Sequence, residues 1–334
     1  MRFSIHNNTR TIAEAVLHAQ HAERLGFEGI FFADSPLILP EAFMLLAACA
    51  RETKRILLGN AVTNMIYRDP LTLATSAATL NEIAEGRAIL GLATGDGAAY
   101  GLGRRATPVA EFEAGLKTIR DLVKGGAISV PKGRELKEEM EISLGIEKLP
   151  VPIYVSAEGP RMLRLCGKLA DGVILGTGFD LRVLEWARAR IAEGAREAGR
   201  DAAEIEIVAA GMFFLDEDGE RARATIRARL ANRAHHNFRF TLETVPAEEL
   251  AGVKRFMEAF DMSQALEEKV APEFVNNYLT QRFSIAGTPA ECIARVRELE
   301  RAGITHLMIT APDALFYEMT QAWSKHIFPQ FMNR

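Results

Sequence analysis

Residues 56–97, ILLGNAVTNMIYRDPLTLATSAATLNEIAEGRAILGLATGDG, carry the unit from which the fold is read. A β-rich run at 56–62 gives way to a segment of helical period at 71–84, then to a second apolar run at 88–93 and a glycine-rich turn. Strand, helix and strand in that order argue for parallel strands covered by helices. The alternation extends both ways. Upstream, strands at 2–6 and 29–33 flank a helix at 14–25, and a helix at 41–52 leads into the quoted stretch. Downstream, a helix at 109–124 precedes a polar excursion at 125–149, whose KGRELKEEMEI predicts an exposed hairpin or flap. Strand 152–155, helix 161–169, strand 172–175, helix 181–198 and strand 205–214 continue the pattern. A helical region follows that is too long for an ordinary connection, and it reads as an insertion over about 216–278. Helix 289–302, strand 306–309 and a last helix near 314–327 complete eight strand–helix units. That is the count of a (β/α)8 TIM barrel, an α/β fold, here with an insertion between strands seven and eight. A single domain over residues 1–334 is expected. An open doubly wound sheet would place a glycine fingerprint after the first strand, where HNNTR stands instead.

With 334 residues, 48% of them hydrophobic, the chain can bury one large core. Forty Lys and Arg against 44 Asp and Glu leave a net charge of −4, with no basic run interleaved with aromatics. A nucleic-acid partner is therefore not expected, and a small-molecule substrate is. Cys49, Cys166 and Cys292 are far apart and without ligand spacing, so they read as buried small hydrophobes rather than disulfide or metal residues. No signal-like or membrane-spanning apolar run is found, so no membrane association and a cytoplasmic location are expected.

In a barrel, function sits in the loops after the strands. Val155–Arg161, VSAEGPR, ends a strand in a small-residue turn with Pro160 at the first helical position. Free N–H groups there, with the helix dipole and Arg161, make a phosphate site; the plainer alternative is a turn that Glu158 caps. Thr94 to Gly103 carries four glycines, which admit a flat ligand close to the backbone, and Asp96 is a candidate acid–base, or a solvated loop carboxylate. Gly59 to Asn64 and Asp34 end strands three and two, where they offer polar groups or merely terminate strands. His6 ends strand one and faces the mouth, as a titrating group or a satisfied structural one. His18 and His21, three apart on a helix, read as lying on a solvated face, and His235-His236 falls in the insertion, where no role is assigned.

GFEGIFFADSP, the 56–97 block, VPIYVSAEGPRMLRLCGKLADGVILG and SIAGTPAECIARVRELERAGITHLMI together resemble the luciferase-like superfamily. The likeness is greatest to methylenetetrahydromethanopterin reductases and related deazaflavin-dependent enzymes, from residue 2 to about 312. The resemblance implies an oxidoreductase, often a homodimer, binding reduced FMN or the deazaflavin coenzyme F(420) at the strand C-termini. By position it implies cofactor contacts at Asp34, Ala61, Val62, Asn64, Thr94, Gly95, Glu158, Gly159, Arg161, Gly176, Thr177 and Gly178, and a cis peptide between Ala61 and Val62. It places Asp96 where related dehydrogenases carry a glutamate acid–base, and it makes Asp34, Asp96 and His6 the candidate catalytic groups. His6 replaces the reductases' glutamate, and Ser35 replaces a histidine common among deazaflavin enzymes.

These departures lead to an FMN-dependent monooxygenase on a small organic substrate as the first expectation, with reduced FMN supplied by a separate flavin reductase. The flap at 125–149 and the insertion at 216–278 then serve as covers that exclude water. The alternative is an F(420)-dependent reductase or dehydrogenase, and a third reading is a flavin-binding protein without turnover.

Overall fold

The computed structural model describes the whole chain apart from residues 37, 134–137, 146–149, 261–274, 311–312 and 333–334. Eight parallel strands close into a barrel: β1 (Arg2–Asn7), β2 (Gly29–Phe32), β3 (Leu57–Asn60), β4 (Ala88–Ala93), β5 (Ile153–Ser156), β6 (Gly172–Leu175), β7 (Glu206–Leu215) and β8 (His306–Thr310). Each pairs with the next, and β8 closes the ring on β1 with His306 opposite Arg2 and Thr310 opposite His6. The expected run 56–62 is interrupted: β3 ends at Asn60, the Ala61–Val62 peptide is cis, and Thr63–Asn64 resumes pairing with Leu92 and Ala93 of β4. The segment Ser284–Gly287, read in the sequence only as part of a motif, forms a further parallel strand on the projecting end of β7. Thr288 then starts the helix Pro289–Arg301 with a capping box to Glu291, which accounts locally for the AGTPAE sequence. The polar excursion contains the expected hairpin, Ala127–Val130 against Met140–Ser143.

Most apolar burial lies between the barrel and its helices, where all three cysteines are found as free thiols. Inside the barrel, Phe31, Ile89, Tyr154, Ile174, Val208 and Met308 form a separate cluster. The two rings fit because neighbouring strands present glycine. A Cβ on Gly59 would lie 2.7 Å from the Phe31 ring, and one on Gly172 would lie 2.7 Å from the Tyr154 ring. The N-terminal floor is polar: Ser4 Oγ lies 2.7 Å from His306 Nε2, and Glu206 joins His306 Nδ1, the Tyr154 hydroxyl and Arg2.

One expectation is corrected here. His18 and His21 are buried rather than solvated, because the helix Phe316–His326 packs on the first helix, Ile12–Leu25. The His18 ring stacks on Phe316 at 3.7 Å with Nδ1 3.0 Å from Asn7 Oδ1, and His21 Nε2 lies 3.2 Å from Thr320 Oγ1. Burial presses His18 down to about 4, against the opposing charge of Glu14. In the unfolded chain the same imidazole takes up a proton near its ordinary value of 6.5, so its contribution to stability is present above that pH and is lost as pH falls toward 4. We therefore expect thermal midpoints to drop as pH is lowered from 7 to 4.5, with a shallower dependence in His18→Gln. Parallel curves for the two proteins would contradict this account.

Candidate active site

The C-terminal ends of the strands carry two groups of polar residues. In the first, the buried carboxylate of Asp34 pairs with Arg68, which also reaches Glu41 and lies 3.3 Å from Thr63 Oγ1. The Tyr67 hydroxyl donates to the Asp34 carbonyl at 2.7 Å. Asp34 thus ties the loop after β2 to the loop after β3, and its charge is compensated. Asn64 Oδ1 accepts from the Ile66 amide at 3.0 Å. Gly95, at φ +86°, passes so near that a Cβ would lie 2.6 Å from Ile66 and 2.9 Å from the Asn64 amide, so the backbone can take this path only with glycine there. Thr94 accepts from the Thr107 amide through its carbonyl, which closes the glycine-rich loop.

The second group joins the loops after β4, β5 and β6 to the insertion. Gly159 is the N-cap of the helix Pro160–Leu169 with Pro160 in its first turn, and no side chain caps it. Glu158 turns away from the helix start. Its Oε1 accepts from Arg233 Nη1 at 2.6 Å and its Oε2 from Asn237 Nδ2 at 3.1 Å. A Cβ on Gly176 would collide with the Arg233 guanidinium, and one on Gly178, at φ +92°, with the Arg282 carbonyl. His236 Nε2 stands 3.6 Å from Asp96 Oδ2 and 3.8 Å from Glu158 Oε2. The Phe240 ring lies 3.2 Å from where a Gly159 Cβ would sit, and Arg161 is exposed in the first turn of the same helix.

Arg233, His236, Asn237 and Phe240 recur at the three- and four-residue spacing that makes one face of the helix Ala231–Thr241. That face covers the mouth. The other face is fastened by Phe238 and Thr241, which are buried against Arg282. The Arg282 guanidinium donates to Thr241 Oγ1 at 2.9 Å and to Asn237 Oδ1 at 3.2 Å, and it lies against the Phe238 and Phe283 rings. Sequence reasoning assigned no role to these four residues or to Arg68. The spacing was legible, but nothing local says which way the helix faces.

His6 lies inside the barrel at the end of β1. Its Nδ1 is 3.5 Å from Thr310 Oγ1, and burial followed by the charge of Arg233 lowers it to about 4, so the ring is neutral at ordinary pH. Among the described residues, nine buried side-chain polar atoms lack a partner. Apart from arginine Nε atoms and the Trp323 indole, they all belong to His6, Asn60 and Thr177, at the C-terminal ends of β1, β3 and β6. Unsatisfied buried donors and acceptors are costly, and their concentration at this end fits a polar, planar ligand that would complete them. The residues present therefore fit a planar, polar group such as a flavin or deazaflavin ring.

A closed parallel barrel with polar groups converging on its C-terminal mouth defines a (β/α)8 enzyme. The family described as luciferase-like monooxygenase matches residues 2–306, and the chain belongs to it. It is 30% identical over 305 residues to a 5,10-methylenetetrahydromethanopterin reductase of Methanolobus tindarius, covering 88% of this chain and 89% of that one. It is 26% identical over 322 residues to an F420-dependent glucose-6-phosphate dehydrogenase of Intrasporangium calvum, covering 90% and 89%. The solved coenzyme F420-dependent tetrahydromethanopterin reductase from Methanopyrus kandleri superposes with a TM-score of 0.78 at 24% identity over 99% of each chain. The protein is an oxidoreductase of this family.

Proposed function

We propose that the protein transfers hydride between coenzyme F(420) and a small organic substrate at the barrel mouth. The observation that carries this reading is the cluster of Asp96, Glu158 and His236, a proton-handling set beside the cofactor cradle. The deazaflavin dependence named for two of the compared relatives supports the cofactor, over about nine-tenths of the chain for the dehydrogenase. This order reverses the first expectation from the sequence. FMN-dependent monooxygenation is the second reading, favoured by His6 and Ser35 in place of the residues the resemblance implies.

When bound, the deazaflavin supplies a carbon that accepts or releases hydride. The chain would supply the rest. The amides of Gly159 and Arg161, at the positive end of the helix, would hold the phosphate. Arg233 compensates the charge of Glu158 and Asn237 donates to it, which would lessen its repulsion of the phosphate. Ala61, Val62, Asn64, Thr177 and neutral His6 would line the ring, and Gly95 and Gly176 let the surrounding loops pack closely enough to do so. Asp34 acts through Arg68 by fixing the loops rather than by exchanging a proton.

Titrating the purified protein with F(420) and with FMN, each in both redox states, and measuring oxygen uptake with reduced FMN tests the assignment. Tight binding of F(420) without oxygen consumption is expected; oxygen uptake coupled to substrate would favour the second reading. Gly159→Val should lower F(420) affinity at least about tenfold with little change in melting temperature, since its methyls would obstruct the amides and press on Phe240. Unchanged affinity for both cofactors would remove the helix start from the site.

We also propose a homodimer through the helices Ala42–Glu52 and Pro70–Ile83. Met44 is 68% exposed, with Ile38 and Leu71 also open to solvent, an apolar exposure that a second copy would cover. Met44→Glu is expected to shift the light-scattering mass toward a monomer, and a monomeric wild type at micromolar concentration would contradict the proposal.

A further inference from the structure

The insertion helix Ala231–Thr241 turns a polar face toward the barrel, whereas a helix laid on a protein ordinarily buries its apolar side. Phe238 and Ala234 satisfy the usual rule on one side, yet Arg233, His236 and Asn237 are directed at the loops after β4, β5 and β6. Two of the three have structural partners. Arg233 and Asn237 bond to Glu158, which leaves that carboxylate compensated. His236 does not share this closure. Its Nε2 faces Asp96 and Glu158 at 3.6 and 3.8 Å, beyond hydrogen-bond distance, and both His236 and Asp96 remain about three-tenths exposed. Among the described residues, Asp96 has no other cation within ion-pair distance. An imidazole that faces the Asp96 carboxylate without a hydrogen bond to it, and that remains partly exposed, is placed to exchange a proton with a ligand.

We propose that His236, supplied by the insertion, is the catalytic acid–base of the site, with Asp96 as the carboxylate its Nε2 faces, and that the substrate is one whose two redox forms differ by a hydride on carbon and a proton on oxygen. This deepens the hydride-transfer reading above and rests on it. In the oxidising direction the substrate C–H bond breaks and its electron pair leaves with hydrogen to the F(420) carbon. The O–H bond breaks, its proton goes to His236 Nε2, and its electron pair becomes the second bond of the carbonyl. The substrate loses two electrons and the cofactor gains them. In the other direction the imidazolium returns the proton. His6 is less suited to this task, because burial and Arg233 lower it to about 4 and leave it a weak base. The charged groups around His236 are Asp96 from the loop after β4, Glu158 from the loop after β5, and Arg233, His235 and Arg239 on its own helix. Phe240 packs edge-on against the ring at 5.7 Å.

The test uses the full chain in two independent arms. In the first, without cofactor, histidine-ring NMR follows the ring signals of His236, assigned by their loss in His236→Gln. Asp96→Asn should displace those signals, and Glu158→Gln should displace them as well. Signals unmoved by Asp96→Asn would overturn the pairing. In the second arm, His236→Gln should lower kcat for F(420) reduction by about 100-fold, change the pH profile of kcat and leave F(420) affinity within about threefold. Added imidazole should restore part of the rate in His236→Ala. A retained rate and pH profile would overturn the proposal while leaving hydride transfer intact. If no hydroxyl or carbonyl compound turns over with F(420) in the wild type, the hydride-transfer reading and the substrate class fail together, and the NMR arm alone decides the His236–Asp96 pairing.

Discussion

Glu206→Ala is expected to lower stability at pH 7 by about 3 kcal/mol, because it strips the barrel floor of the carboxylate on which three side chains converge. His306 and the Tyr154 hydroxyl are buried and would lose their acceptor, which costs more than the net worth of the bonds themselves. Arg2, being more exposed, adds little. The same network gives a pH signature. Burial works to raise the Glu206 carboxyl, but hydrogen bonds from His306 and Tyr154 and the fields of His306 and Arg2 outweigh it and hold the group at about 2, below its ordinary 4.5. A depressed folded value means stability that is present above the unfolded value and lost as pH falls through 4.5 toward 2. After allowance for a side chain still 18% exposed, that linkage contributes about 2 kcal/mol. Urea denaturation at pH 7 and pH 3 checks both points: the gap between wild type and Glu206→Ala should narrow at the lower pH, and a constant gap would contradict the electrostatic account.

The second large effect is expected at Gly91 of β4. A Cβ built there falls well inside contact distance of the Asn60 carbonyl oxygen and 2.9 Å from its carbon, and both are backbone atoms that cannot rotate away. Gly91→Ala must push β3 from β4 at the point where the two strands define the back of the mouth. Overpacking of this kind costs about 3 kcal/mol or more, and cofactor affinity should fall with it. Gly97→Ala serves as the control. Its Cβ meets nothing within 4 Å, and its melting temperature should stay within a few degrees of wild type. A folded Gly91→Ala protein of wild-type stability would show that β3 yields more readily than its packing implies.

Much of the barrel was legible because the signals that define it are local. Asp69 before Pro70, Gly159 before Pro160 and Thr288 before Pro289 each mark a helix start, and each helix begins there. Apolar runs between them became the barrel strands within a residue or two, except where β3 breaks at Ala61–Val62. That break and the cofactor class came from the resemblance, since no periodicity signals either. The histidines were less legible. Three-residue spacing on a helix gives His18 and His21 one face but does not say whether that face meets water or Phe316, some 300 residues away in the chain.

The sequence by itself determined the order of strands and helices, their caps, the glycine positions that let the loops pass closely, and the carboxylates Asp34, Asp96 and Glu158 at strand ends. These follow from backbone propensity and contacts within a few residues, which any segment carries with it. Only the tertiary structure decided what each of those groups meets. It joined Ser4 to His306 and Glu206 across the barrel, compensated Asp34 with Arg68, turned Glu158 from a helix cap into the partner of Arg233 and Asn237, and brought His236 to Asp96 across 140 residues of chain. Such pairings depend on how the insertion docks on the closed barrel. Phe238, Arg282 and Phe283 pack together behind the helix, and Arg233 and Asn237 bond to Glu158 in front of it, so contacts distant in the chain fix that docking.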